Sequence, residues 1–349
     1  MTLFDKIIMQ PFIPNWLFRV AIRYLVGKKL TTETYLHSID NGRLTSMIKF
    51  LSHGPLATDT STANDQHYCV PPAFFKLALG QRLKYSSGFF SDSAKTLNEA
   101  ETDMLELTVS RARIEDGNSI LELGCGWGSL TLFMAQKFPN SSIVAMSNSV
   151  EQKTYIDQYC LQHDINNVTV ITANIQDFEP DKQFDRIISI EMFEHLSNYK
   201  LLFKKLNSWL EPTGHLFIHV FGHKQYTYRF TNTSTTDWMA RHFFTGGIMP
   251  SEKLFSYFDN DFFIAKQWQV NGQHYNRTCN AWLANIMQQK DAVIKLFEKT
   301  YGTNLAPTKW VAWRIFFIAC AELFGYKKGT EWMVFHYILK KKLPAKQAT

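Results

Sequence analysis

The chain has 349 residues, a hydrophobic content of 45%, a charged content of 19% and a formal net charge of +6. This composition excludes a disordered or fibrous chain, and the length suffices for one large core with additions or for two domains. The basic residues are scattered rather than gathered along one stripe, which disfavours nucleic acid as a partner.

Residues 1 to about 115 are predicted to be mostly helical. Within residues 12–26 the apolar positions recur with a helical period, and Arg19 and Arg23 fall on the other side of the helix. The stripe consists of Trp16, Leu17, Val20, Ala21, Tyr24 and Leu25. We expect it to pack against the core, with docking to a membrane as the alternative.

From Asn118 onwards, short apolar runs alternate with helical segments, which predicts a parallel α/β sheet. The predicted strands are residues 119–124, 142–147, 168–173, 185–190 and 215–221. Helices are predicted between them at about 128–137, 149–163 and 198–210. The aromatic, irregular stretch 222–262 is typical of a lid, 264–270 of a late edge strand, and about 279–339 of helix.

A glycine-rich turn follows the first predicted strand. It reads ELGCGWGS over residues 122–129, so that Gly124, Gly126 and Gly128 have the spacing G-x-G-x-G. Glycines let the backbone turn tightly and approach a ligand closely, with a helix N-terminus behind the turn. The spacing departs from the dinucleotide fingerprint G-x-G-x-x-G, which disfavours NAD.

Two carboxylates and an imidazole stand close together directly after the fourth predicted strand, in SIEMFEHLSNYK at residues 189–200. If a helix starts there, Glu191, Glu194 and His195 share one face, at the edge where parallel sheets bind ligands. Each of them alone fits a solvated or packed helix start equally well, but the trio favours a functional site. Paired histidines and a completing Cys or His cluster are missing, so no metal is predicted.

The five cysteines form no C-x-x-C pair and are odd in number, so neither a zinc site nor a disulfide framework is predicted. The corresponding expectation is a reducing, cytoplasmic location. The opening MTLFDKIIMQ lacks the features of a signal peptide, and the apolar run 315–320 is too short to span a bilayer.

The turn LELGCGWG resembles motif I of class I S-adenosylmethionine-dependent methyltransferases. This resemblance implies an α/β fold with a Rossmann-like doubly wound sheet and S-adenosyl-L-methionine as cofactor. Such enzymes usually place an acid at the end of the second strand to hold the ribose, whereas this chain has Ser147-Asn148-Ser149. The departure is similar to the cyclopropane fatty acid synthases and their relatives, in which a glutamine a few residues on does this work, and Gln152 matches it.

The same resemblance implies the remaining cofactor contacts. Residues 67–90 look like the loop that closes over the cofactor, and Asn174 stands where the family binds adenine. The implied cofactor-binding residues are Tyr85, Ser86, Glu122, Gly124, Gly126, Gly128, Asn148, Gln152, Asn174, Ile175 and Ile190.

Two branches of the group resemble this chain. Cyclopropane synthases hold a bicarbonate base with Glu, His and Tyr, and Glu194, His219 and Tyr275 match those places. The coclaurine N-methyltransferase-like branch has I-E-M-F-E-H at the strand end, with an additional Glu that matches Glu191. Further stretches look like that branch: residues 241–251, 270–275, 313–326 and 329–337.

The preferred implication is an S-adenosylmethionine-dependent N-methyltransferase acting on a small, aromatic or cyclic, primary or secondary amine. Glu191, Glu194 and His195 would be catalytic. The implied substrate contacts are Cys69, His219, Trp238, Phe244 and Tyr275. A cyclopropane synthase-like enzyme acting on an unsaturated lipid is the alternative, and only that reaction would call for a membrane partner.

We expect the chain to be organised in three parts. Residues 1–115 would form a helical extension with the cofactor-closing loop, 116–222 the cofactor-binding core, and 223–349 the lid, late strands and C-terminal helices around the substrate. The helical segments at both ends of the chain could build a homodimer, although nothing in the sequence specifies one.

Overall fold

The computed structural model describes residues 3–40, 42–56, 70–231 and 237–342. Seven strands form one sheet: β1 (Ser119–Leu123), β2 (Ser142–Ser147), β3 (Val168–Thr172), β4 (Phe184–Ile190), β5 (Leu210–His223), β8 (Phe262–Val270) and β9 (Trp332–Lys341). Their order across the sheet is β3-β2-β1-β4-β5-β9-β8. A separate ribbon pairs β6 (Tyr228–Arg229) with β7 (Ile248–Met249).

Strands β1 to β5 are parallel and overlap the five predicted runs, although β5 begins earlier, at Leu210. β1 pairs with β2 on one side and with β4 on the other. The order of the sheet therefore reverses at β1, and a crevice opens there at the carboxyl ends of the strands.

The prediction of helix up to residue 339 is wrong at its end, where Trp332–Lys341 form β9. β9 is antiparallel to both β5 and β8, so it lies inside the sheet, while β8 is the edge strand that the sequence predicts. The first eight residues of β9 are all buried. A strand buried on both faces lacks the apolar–polar alternation that distinguishes a strand from a buried helix.

Helices flank the sheet and form the additions before and after it. They are α1 (Leu3–Ile8), α2 (Asn15–Ile39), α3 (Arg43–Phe50), α4 (Pro72–Ala78), α5 (Leu97–Ala112), α6 (Ser129–Lys137), α7 (Val150–Gln162), α8 (Tyr199–Trp209), α9 (Trp238–His242), α10 (Gly272–Gln288), α11 (Lys290–Tyr301) and α12 (Ala306–Gly325). Across the described ranges, no helix has the length and apolar character needed to cross a bilayer.

The apolar stripe of α2 faces outward, so the expectation that it packs on the core is wrong. Trp16, Val20 and Tyr24 are 64%, 62% and 71% exposed. The opposite side of α2, with the buried Phe18 and Val26, packs towards α12.

Glu322 of α12 explains this orientation of α2. Its side chain is only 5% exposed and accepts from Arg19 Nη1 at 2.7 Å and from Arg23 Nη2 at 2.6 Å. A carboxylate buried to this extent needs cationic partners. Both guanidinium groups therefore reach towards Glu322, and the apolar stripe on the other side of α2 faces solvent.

Candidate active site

The glycine turn lies at the carboxyl end of β1, in the crevice of the sheet. Gly124, Gly126 and Gly128 have φ values of +75°, +54° and +77°, which other residues rarely adopt. Among the described residues, a Cβ on Gly126 would meet nothing within 4 Å, whereas one on Gly128 would lie 2.7 Å from Ile156. Gly126 therefore leaves room for a ligand, and Gly128 allows close packing of α6 and α7.

A cavity at this turn contains ten of the eleven predicted cofactor-binding residues in its wall, all except Gly128. The sequence prediction missed several further wall residues, among them Lys84, Trp127, Ser129 and Thr245. Lys84 directly precedes Tyr85 and Ser86, but residues 67–90 also contain Lys76 and Arg82, so the sequence does not distinguish it from them.

Gln152 fits the ribose-binding role that the resemblance implies. Its Oε1 accepts from Ser147 Oγ at 2.6 Å, but its buried Nε2 has no hydrogen-bond partner among the described protein residues. A buried amide N–H without an acceptor is costly, so this group is suited to a ligand hydroxyl. Together with the open space beside Gly126, it gives the cavity the donors and shape that the cofactor needs.

Glu122 is buried behind the turn, where its Oε2 accepts from Thr131 Oγ1 at 2.6 Å. Burial raises the pKa of Glu122 from 4.5 to about 7, while Thr131 and Lys84 oppose the shift. The folded protein thus binds this proton more tightly than the unfolded chain. Ionisation of Glu122 as the pH rises from 4.5 to about 7 therefore works against folding.

Replacing Glu122 by glutamine is expected to remove this pH-dependent loss of stability. Relative to the variant, the cofactor-free wild-type protein should lose about 3 kcal/mol of unfolding free energy between about pH 5 and pH 8. Urea unfolding at the two pH values measures the difference. If the difference in unfolding free energy between the two proteins is the same at both pH values, Glu122 titrates like an exposed carboxyl.

Lys84 is a buried cation of the cavity wall. Its Nζ donates to Ser86 Oγ at 2.5 Å and to the Ser87 carbonyl at 2.8 Å, which ties the closing loop together. Burial lowers the pKa of Lys84 to about 8, and Glu191, Glu101 and Glu122 oppose the shift. Its charge thus offsets part of the cost of burying these three carboxylates.

Glu191 lies at the carboxyl end of β4 with a φ of +48°, a strained conformation for a residue with a side chain. Its Oε1 accepts from Ser87 N at 3.0 Å and from His219 Nε2 at 3.2 Å, and its Oε2 from Tyr275 Oη at 2.7 Å. Burial raises the pKa of Glu191, while Lys84, Tyr275 and Ser87 pull it down. These contacts fix the carboxylate in one orientation.

A second, aromatic cavity adjoins the first. Its wall includes Phe221, Phe230, Met239, Phe244, Tyr275, Trp282, Phe316 and Phe324. Tyr85, Glu191 and His195 line both cavities. A group bound in the aromatic cavity would therefore meet the cofactor cavity beside one phenol, one carboxylate and one imidazole.

Glu194 is separated from its two neighbours. Phe193–His195 form a 3₁₀ turn rather than an α-helix, and the fully buried Glu194 lines neither cavity. Its Oε1 accepts from Phe221 N at 2.8 Å, and its Oε2 has no partner in the part of the protein that the structure describes. Burial, reinforced by Glu191, raises the pKa of Glu194 well above its ordinary value, which favours the protonated carboxyl.

The other predicted residues fall in different places. Phe244 and Tyr275 line the aromatic cavity, and the ring of Phe244 lies 4.7 Å from that of His195. His219 is buried behind Glu191, and Trp238 packs in the core with its ring centroid 5.4 Å from that of Phe243. Cys69 lies outside the described residues.

Known proteins share this sequence and this fold. A family model described as mycolic acid cyclopropane synthetase matches residues 57–330. The (S)-coclaurine N-methyltransferase of Thalictrum flavum subsp. glaucum is 36% identical over 95% of this chain and 93% of its own. The cyclopropane-fatty-acyl-phospholipid synthase of Escherichia coli K12 is 29% identical over 64% of this chain and 56% of its own.

A solved coclaurine N-methyltransferase, bound to N-methylheliamine and SAH (S-adenosylhomocysteine), superposes with a TM-score of 0.92 at 35% identity. The match covers 97% of this chain and 99% of that one. The chain therefore belongs to the family of S-adenosylmethionine-dependent methyltransferases that includes the mycolic acid cyclopropane synthetases and the coclaurine N-methyltransferases.

Proposed function

We propose that this enzyme transfers a methyl group from S-adenosylmethionine to the nitrogen of a small, aromatic or cyclic, primary or secondary amine. The observation that carries the proposal is the junction of the two cavities, where Tyr85, Glu191 and His195 line both. The cofactor supplies a methyl group already activated by its sulfonium. The protein therefore has to bring a nitrogen lone pair close, aligned and unprotonated.

Glu191 would attract and hold the amine. An aliphatic amine is mostly protonated at neutral pH, by analogy with lysine at roughly 10.4. The fixed carboxylate of Glu191 attracts this ammonium, and the aromatic wall, with Phe244 and Trp282, shields a ring or a cation. The same carboxylate stabilises the cationic product of methylation.

His195 would remove the proton. Because it lines both cavities, its imidazole stands beside the place where an acceptor nitrogen meets the cofactor cavity. A neutral imidazole there can accept the ammonium proton and leave a lone pair for the in-line displacement. The three residues predicted to be catalytic would thus have separate roles, with Glu194 buried behind the other two and favoured in its protonated form.

The arrangement around Glu191 argues against the cyclopropane synthase-like alternative. In that branch a Glu, a His and a Tyr hold bicarbonate, and the matching residues in this chain include His219 and Tyr275. Both of them donate to the carboxylate of Glu191 instead. A carboxylate fixed in the protein thus takes the hydrogen bonds that a free bicarbonate would need.

A panel of acceptors tests the proposal. Purified enzyme is incubated with methyl-labelled S-adenosylmethionine and either primary and secondary cyclic amines or vesicles of unsaturated phospholipid, and products are read by mass. We expect label on an amine. Label on the acyl chains, with every amine unmodified, would overturn the proposal in favour of lipid chemistry.

Finer points of organisation belong to the same proposal. The unpaired pattern of the cysteines supports a cytoplasmic enzyme acting on a free small molecule. The division at residues 115 and 222 remains a prediction, since β8 and β9 of the third part complete the sheet of the second.

A further inference from the structure

A row of side chains crosses the sheet from its edge to Glu191. His219 on β5, His336 on β9 and Trp268 on β8 are direct cross-strand partners, so they lie side by side on one face of the sheet. Arg111 of α5 covers the outer end of this row. Its guanidinium carbon lies 5.0 Å from the centroid of the Trp268 ring.

Four of these groups form one continuous hydrogen-bonded chain. Arg111 Nη1 lies 2.8 Å from His336 Nδ1, and His336 Nε2 lies 2.9 Å from His219 Nδ1. His219 Nε2 lies 3.2 Å from Glu191 Oε1. His219 and His336 are 1% and 0% exposed, so water is kept from both rings. We call Arg111, His336, His219 and Glu191 the histidine relay.

The chemistry of arginine sets the direction of every bond in the histidine relay. A guanidinium only donates, so His336 Nδ1 must accept and its proton must sit on Nε2. His336 Nε2 then donates to His219 Nδ1, which leaves the proton of His219 on Nε2, facing Glu191. Burial lowers the pKa of both histidines, helped by Lys84 and Arg111, so each ring is neutral and has a single proton to place.

We propose that Arg111 is a positioning residue for methyl transfer, which acts through His336 and His219 to make His219 donate a hydrogen bond to Glu191. The proposal rests on the role of Glu191 in holding the ammonium. Arg111 itself lines neither the cofactor cavity nor the aromatic cavity, so it acts on the reaction only through the two rings.

Without the guanidinium, only the ionised carboxylate of Glu191 still favours this direction. When Glu191 takes up a proton, both rings can then carry their proton on Nδ1, and His219 Nε2 can accept from the Glu191 carboxyl. The wild-type relay forbids that arrangement, because a guanidinium cannot accept a hydrogen bond. Lys84, Tyr275, His195 and Glu194 also surround this carboxylate, and all of them stay in place. Loss of Arg111 therefore raises the pKa of Glu191 through the relay.

The kinetic test compares Arg111→Met with Arg111→Lys, since lysine keeps a donor and methionine does not. We expect the acidic limb of kcat/KM for the amine to move up by about one pH unit in Arg111→Met, with about tenfold lower kcat/KM near neutrality, mostly through KM. In Arg111→Lys, both the position of the acidic limb and kcat/KM near neutrality should return most of the way to the wild-type values. Equal pH profiles for wild type and Arg111→Met would overturn the proposal.

Two further variants separate the relay from simple loss of packing. Arg186→Met removes another half-buried arginine of the sheet, whose donors reach the carbonyls of Arg113 and Asp185, and it should keep the wild-type pH profile. In a His336→Leu background, Arg111→Met should have no additional effect, because the path is already cut. A relay would be contradicted if the effects of Arg111→Met and His336→Leu on kcat/KM were fully additive. It would also be contradicted if Arg186→Met moved the acidic limb as far as Arg111→Met does.

A spectroscopic test does not depend on turnover. In protein labelled with ¹⁵N-histidine, His219 and His336 should both show a protonated Nε2 and an unprotonated Nδ1, and the Arg111→Met protein should lose this pattern below the raised pKa of Glu191. The reverse tautomers in the wild-type protein would overturn the inference even if amines are methylated. The expected tautomers together with an inactive amine panel would instead count against the proposed function alone.

Discussion

Replacing His195 by alanine is expected to slow methylation of the amine by on the order of 10²–10⁴ while SAH binding stays within a few-fold. The imidazole lines both cavities, and its proposed role is to remove a proton rather than to hold the cofactor. The loss should be smallest at high pH, where more of the amine arrives without its proton. Single-turnover rates across the pH range, with calorimetry of SAH, measure both quantities.

His163→Ala is the matched control, because this histidine is exposed at the end of α7 and its Nδ1 bonds the local carbonyl of Tyr159 at 2.9 Å. It should behave as the wild type. A His195→Ala protein that loses SAH affinity as strongly as turnover would reveal a structural role. A defect that does not ease at high pH would mean that His195 is not the base.

Replacing Glu191 by glutamine is expected to lower kcat/KM for a basic amine by about 100-fold, equivalent to about 3 kcal/mol. Its carboxylate accepts three hydrogen bonds and lines both cavities, whereas an amide would turn N–H groups towards some of these donors. A weakly basic aromatic amine, which arrives uncharged, should lose much less. Steady-state kinetics on the two classes of amine measure the contrast.

Glu194→Gln is the control for burial of a carboxyl in the same turn. The raised pKa of Glu194 favours the protonated carboxyl, which a carboxamide imitates, and the carboxamide oxygen can still accept from Phe221 N. Activity within about tenfold of wild type is expected. If Glu194→Gln is as damaging as Glu191→Gln, an ionised Glu194 takes part in the reaction, and Glu191 is not the only carboxylate that holds the amine.

The parallel half of the sheet could be predicted from sequence because its boundaries carry local signals. Gly124 begins the turn after β1, while Ser149 and Asn198 cap α7 and α8 through Gln152 N and Leu201 N. β9 carries no such signal, since a uniformly buried strand shows no alternation of apolar and polar residues. The orientation of α2 depends on Glu322, about three hundred residues away, and no local pattern could reveal that pairing.

The residues of the candidate site also divide into those that a local motif indicates and those that depend on the fold. One motif and its neighbourhood carry the resemblance, and ten of the eleven residues that it implies line the cavity at the glycine turn. Spacing placed Glu194 beside Glu191 and His195, but the 3₁₀ turn sends its side chain into the protein. Lys84 was missed because the value of a buried cation depends on carboxylates that only the fold brings near it.

The inner position of β9 has a consequence for synthesis on the ribosome. β9 follows the other six strands along the chain but separates β5 from β8, so the nascent protein exposes an unpaired β5 edge until translation has passed residue 341. Such an edge invites pairing with other chains. His336 arrives with this strand, so the hydrogen-bonded chain from Arg111 to Glu191 can form only once β9 has paired with β5.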